Sequence, residues 1–127
     1  MAVAELRRIF SCWERGDMSD ESNMVDGTAT NTNGTSTACI AAQGAGYRTV
    51  LTDVTISNSS ATAVEVTIKD GTTARWTFPV PANTAGVVYQ FRGGLRGTAN
   101  TAWNFDPSAA ATTITCSMAG YRERAWG

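Results

Sequence analysis

Histidine is missing from this 127-residue chain altogether. Without imidazole, the Ser-His-Asp and Cys-His nucleophilic arrangements and the usual imidazole metal sites are excluded. Lysine is nearly missing too: Lys69 stands alone, and the other cationic side chains are all arginine. The planar guanidinium fork suits partner interfaces better than a solvated ammonium does, so this bias points to protein contacts. Cysteine occurs three times, at Cys12, Cys39 and Cys116, with no CxxC spacing, which supports neither a zinc site nor a thioredoxin-like motif. The odd count points to free, buried thiols in a reducing compartment. Pairing of Cys39 with Cys116 would require the first and last strands to meet. Long apolar runs are also absent: no stretch approaches the length needed to span a bilayer, and MAVAELRRIF lacks the apolar core of a signal peptide. A soluble protein made in the cytoplasm is therefore expected.

What is present suffices for one domain with an appendage. The hydrophobic content is 43%, enough for one modest core. The formal net charge of −1 argues against general attraction to nucleic acid or to an anionic membrane, so charge must act locally. Residues 1–26 hold three arginines against six carboxylates, whereas the remainder carries a small positive excess.

In AVAELRRIFSCWERG the residues Val3, Leu6, Phe10 and Trp13 recur at three- and four-residue steps, and Ile9 widens the stripe. Gly16 can follow the last turn. This pattern predicts a short amphipathic helix, marginal alone in water and in need of a partner surface. Residues 17–36 are small and polar and read as a linker or extended arm. From residue 37 the period changes to two. Val50, Val54 and Ile56 share one face, as do Val64, Val66 and Ile68, and then Ala74, Trp76, Phe78 and Val80. Asn58-Ser59-Ser60 joins the first two of these strands, and Asp70-Gly71 turns the chain into the third. Further strands are expected in STACIAAQ, GVVYQFR and TTITCSMAGY, the last with Ile114, Cys116 and Met118 on one face. The expected fold is all-β, an antiparallel β-sandwich or jelly roll over residues 37–127, with the helix and polar arm in residues 1–36. By its position among core residues, Trp76 is expected to be buried. The order Cys39, Trp76, Cys116 does not match an immunoglobulin domain, because the tryptophan falls two strands beyond the first cysteine.

No catalytic, cofactor or metal site emerges. Asp53, Glu65, Asp70, Asp106 and Glu123 are spread singly over predicted outward faces and turns, and the acidic run from Asp17 to Glu21 lacks the ligand spacing of a calcium loop. The stretch FRGGLRGTANTAWNF has glycines and arginines, but no helix follows Gly93, Gly94 and Gly97 to present amides and a dipole to phosphate. One RGG copy in an acidic chain is no RNA-binding array. The stretch reads as a loop in a β-shell, in which Gly93 and Gly94 break a strand and the chain turns toward Trp103 and Phe105.

The succession YRTVLTDVTISNSSATAVEVTIKDGT, PVPANTAG and GLRGTANTAWNFDPSAAATTITCSMAGY, ending in the pair Gly120-Tyr121, resembles small virion structural proteins of tailed bacteriophages over roughly residues 46–121. The resemblance implies a compact, commonly oligomeric sandwich that decorates or cements a capsid and is located in the virion after synthesis in host cytoplasm. The implied partners are the major capsid protein or another virion protein and further copies of the chain, a trimer being the expected state. No catalytic residue and no cofactor come with it. Beside it stands a carbohydrate- or receptor-binding module of a fibre, tail or baseplate, with Trp103, Trp126 or Tyr121 as stacking platforms. An enzyme is the third reading, disfavoured by the missing histidine. The expected partner-binding residues are Leu6, Arg7, Arg8, Phe10, Trp13 and Arg15 on the N-terminal helix and Trp126 in the charged tail.

Overall fold

A computed structural model describes residues 23–110 and 113–125. Every described element is a strand: β1 Met24–Asn31, β2 Thr37–Ile40, β3 Tyr47–Asn58, β4 Val64–Asp70, β5 Thr73–Val80, β6 Thr84–Arg96, β7 Trp103–Pro107 and β8 Ile114–Arg124. They form two antiparallel four-stranded sheets, ordered β1-β8-β3-β6 and β2-β7-β4-β5. Only the β4–β5 hairpin keeps the chain in one sheet; every other connection crosses between sheets. The result is a sandwich whose core lies between the sheets.

The period-two faces are the core faces for most of these residues. Val50 is buried but outside the core cluster, because the β3 irregularity between Leu51 and Asp53 reverses the parity, and Ala74 is exposed opposite Lys69 beyond a register shift. Val54 and Ile56 on β3, Val64, Val66 and Ile68 on β4, and Ile114, Cys116 and Met118 on β8 are buried in one cluster with Leu51, Phe78, Val80, Trp103 and Phe105. Burying alternate apolar side chains of both sheets is what stabilises such a two-layer fold. The expected helix over residues 1–16 lies outside the described residues.

Four further expectations need correction. Residues 24–31, read as part of a polar arm, form edge strand β1, paired with β8 from Met24↔Tyr121 to Asn31↔Ile114. The strand is illegible as such because its inward residues are small: Val25 and Ala29 pack on the core, while Gly27 adds no side chain. It is held by the backbone ladder and by hydroxyl pairs, Thr28 with Ser117 at 2.9 Å and Thr30 with Thr115 at 3.1 Å. A chain cut at Ser36 would therefore lose a strand of the sandwich.

Trp76 is not a core residue. It stands opposite Ile68 on the inward face, as its parity requires, but β5 is the edge of its sheet and the indole is 48% exposed. Its cover is Phe91 of β6, edge-on at 5.7 Å. Of the two described tryptophans Trp103 is the buried one, and the stretch expected to be a loop holds it on strand β7. Finally, Gly93 and Gly94 do not end β6. The strand passes through both, at φ 79° and 81°, to Arg96, and the surplus residues between Gln90 and Leu95 form an irregularity against β3. Left-handed backbone is inexpensive only for glycine, which is why the bulge falls there.

Candidate partner-binding surface

Antiparallel pairing brings the start of β3, the start of β1 and the ends of β6 and β8 to one end of the sandwich. The segments of β3, β6 and β8 carry arginine or tyrosine, and that of β1 contributes Met24. Arg48 lies opposite Glu123 in the ladder and donates Nε–H to its carboxylate at 2.7 Å; Arg96 donates Nε–H to the same oxygen at 3.1 Å. Burial pushes the Glu123 carboxyl up, but the Arg48 and Arg96 guanidiniums outweigh that effect and hold it below the usual carboxylate range. Arg122 and Arg124 lie over the Tyr47 ring, at 5.0 and 5.7 Å from its centroid. From the other sheet, Arg75 donates to the Arg96 carbonyl at 2.8 Å and stands 3.6 Å from the Asp70 carboxylate.

Five of the ten cationic side chains thus converge on one end with two carboxylates among them. A local positive surface arises in a chain of net charge −1. Beside it lies a cleft of about 540 Å³ lined by Asn23, Met24, Tyr121, Arg122, Glu123 and Arg124. Its cause is a difference in strand length: the described pairing of β1 with β8 stops at Met24↔Tyr121, whereas β8 runs on to Arg124. Met24 is 66% exposed here. Asn23, the first described residue, lies at this same end.

The loop after β6 is pinned to this surface. Asp70, expected at an exposed turn, is buried and accepts the N–H and hydroxyl of Thr98, the latter at 2.7 Å. The Asn100 N–H donates to the Tyr47 carbonyl at 2.7 Å, and the Gly97 N–H to that of Thr49 at 3.0 Å. The GTAN stretch is a structural clasp. On β7, Asp106 accepts from Lys69 at 3.0 Å. Among the described residues no group of three or more Cys, Asp or Glu side chains is placed to hold a metal, and no helix is long and apolar enough to cross a membrane.

Leu6, Arg7, Arg8, Phe10, Trp13, Arg15 and Trp126, the partner-binding residues expected from the sequence, lie outside the described residues. Tyr47, Arg48, Arg75, Arg96, Arg122 and Arg124 are not among the residues that the sequence pattern points to. A signal for some of them existed: Ala-Gly-Tyr-Arg occurs twice, at residues 45–48 and 119–122, and the fold sets the two copies on neighbouring strands at this end. Of the stacking candidates, Trp103 is fully buried and Tyr121 lines the cleft. No protein-family model matches the chain, and no curated protein is significantly similar to it.

Proposed function

We propose that the chain is a structural virion protein that decorates or cements a phage capsid through protein–protein contacts, without catalysis. The observation that carries this reading is the arginine end. Guanidinium groups pair with carboxylates in a fixed, bidentate geometry, so the surface suits an acidic face of the major capsid protein or another virion protein. The strand orders β1-β8-β3-β6 and β2-β7-β4-β5 support reading the sandwich as a jelly roll, an architecture of viral capsid and lectin domains alike. The fold alone does not choose between those uses, and the charge pattern favours the first. The proposal includes self-association as a trimer and a contribution from residues 1–16 as an anchor. Binding the assembled shell in preference to separated subunits would stabilise the shell by mass action.

Cosedimentation with assembled empty heads tests it. The expected result is binding that weakens as salt is raised and falls about tenfold in Arg122→Glu/Arg124→Glu, as loss of complementary interface charge produces. A chain lacking residues 1–16 separates the anchor from the arginine end. Wild-type protein that stays in the supernatant, or a double variant that binds unchanged, would refute the reading.

The second reading, a glycan-binding module, draws on the exposed Trp76 set edge-on to Phe91. Trp76 takes the stacking role that the buried Trp103 cannot fill. On this reading Trp76→Ala abolishes retention on immobilised glycans while lowering stability by only about 1 kcal/mol, the size of an exposed aromatic pair. Equal retention of variant and wild type removes it.

A further inference from the structure

Cys39 lies on β2 and Cys116 on β8, in different sheets and 77 residues apart. Stacked sheets ordinarily stand about 10 Å apart, too far for most pairs of facing side chains to be linked. Here the separation collapses at the edge where β1 and β2 face each other. Gly27 of β1 has no side chain, and the space a Cβ would take is occupied by the backbone carbonyl of Cys39. Because Gly27 pairs with Met118 and Ala29 with Cys116, this approach carries Cys39 directly onto β8. The Cys39 sulfur lies 3.3 Å from the Cys116 carbonyl oxygen and 3.3 Å from that of Gly27. Both thiols are free in the structure, Cys116 buried and Cys39 partly exposed.

We propose that Cys39 and Cys116 are an inter-sheet disulfide site, closed by a low-molecular-weight disulfide such as oxidised glutathione. The Cys39 thiolate attacks one sulfur of the reagent, whose S–S bond breaks and whose other half leaves as a thiolate that takes up a proton. Cys116 then gives up its proton and attacks the Cys39 sulfur, expelling the second half. Two protein thiols become one disulfide, and the reagent is reduced to two thiols. The roles are set by position: Cys39 is partly exposed and can be reached from solvent, whereas Cys116 is buried. The neighbouring Cys39 and burial together push the Cys116 thiol well above the usual thiol range and keep it protonated, so the second step is the slow one. The bond would tie the edge strand β2 to β8 and close a loop through most of the chain, the geometry in which a cross-link restricts the unfolded state most. Thiols kept reduced in a cytosol would thus become a staple in an oxidising exterior. The inference does not depend on the proposed function.

The full chain is incubated with oxidised glutathione, then alkylated under denaturing conditions and mapped by mass spectrometry. The expected outcome is loss of two hydrogens, a crosslinked peptide pair containing Cys39 and Cys116, and alkylation confined to Cys12. A transient glutathione adduct on Cys39 should precede it. The urea midpoint should rise by at least about 1 M relative to the reduced chain, a rise absent from Cys39→Ser and kept in Cys12→Ser. A glutathione adduct that persists on Cys39 with Cys116 still alkylated, a link that involves Cys12, or an unchanged midpoint after complete crosslinking would overturn the proposal.

Discussion

Trp103→Ala should lower the stability of the sandwich by about 3–5 kcal/mol, the range for truncating a fully buried large aromatic. The indole is wholly inaccessible and belongs to the core cluster shared by both sheets. It also crosses between the sheets: from β7 it donates Nε1–H to the Thr49 carbonyl of β3 at 3.1 Å. The Thr49 carbonyl keeps the Gly97 N–H when the indole is removed, so the loss is mainly one of volume and apolar area. Trp103→Phe is the milder comparison. It keeps a buried aromatic ring but gives up the hydrogen bond and the pyrrole part of the indole, so a smaller loss of about 1–2 kcal/mol is expected. Urea titration of the three proteins gives the comparison. An alanine variant within about 1 kcal/mol of wild type would mean that β7 does not pack between the sheets. The Arg75 guanidinium lies 5.6 Å over the same ring, so this substitution should also loosen the arginine end, which exposed Trp76→Ala should leave in place.

The contrast between these two tryptophans shows what a sequence can and cannot reveal about a sandwich. Parity assigns a side chain to a face, and it did so for Val54 and Ile56, for Val66 and Ile68, for Ile114, Cys116 and Met118, and for Trp76 itself. It does not say how far the opposing sheet extends. Trp76 points inward from an edge strand, where cover comes from Phe91 alone. Trp103 sits on β7, flanked by β2 and β4 and buried with Phe105, but its five-residue strand follows a loop of small and polar residues and offers too few alternations to be read. The small inward residues of β1 gave no apolar signal, since its place is set by the ladder to β8. The arginine end was harder still. Arg48, Arg75, Arg96, Arg122 and Arg124 are scattered over more than half the chain, and only the antiparallel topology brings them together.

Gly120→Ala is the second substitution from which a large effect is expected. Gly120 was noted in the sequence only as the start of a closing Gly-Tyr pair, and the structure supplies a physical reason for it. On β8, the residue pairs with Leu51 of β3 on one side and Val25 of β1 on the other, so it lies within the sheet and not at its margin. Beside it β3 bulges: the register runs from Leu51↔Gly120 to Asp53↔Ala119, leaving Thr52 as the extra residue. The bulge presses the Val50 carbonyl into the space a Cβ on Gly120 would occupy, with the Leu51 Cα 3.2 Å away. Both obstacles are backbone, which cannot rotate aside as a side chain would. An alanine must therefore push apart β3 and β8, the two central strands of the sheet, at a cost of about 3 kcal/mol or more, the upper end for overpacking. Gly86→Ala is the control. Its Cβ would meet only the Thr55 methyl group at 3.9 Å, an ordinary contact, and reduced freedom of the unfolded chain should make the change neutral or stabilising by up to about 1 kcal/mol. If the Gly120 variant unfolds at the same urea concentration as the Gly86 variant, the bulge relaxes freely and the close approach has no structural role. If the expected loss is found, it should extend to Tyr121, Arg122, Glu123 and Arg124, which follow on the same strand and line the cleft. The positioning of the arginine end would then depend on a residue that contributes no side chain to it.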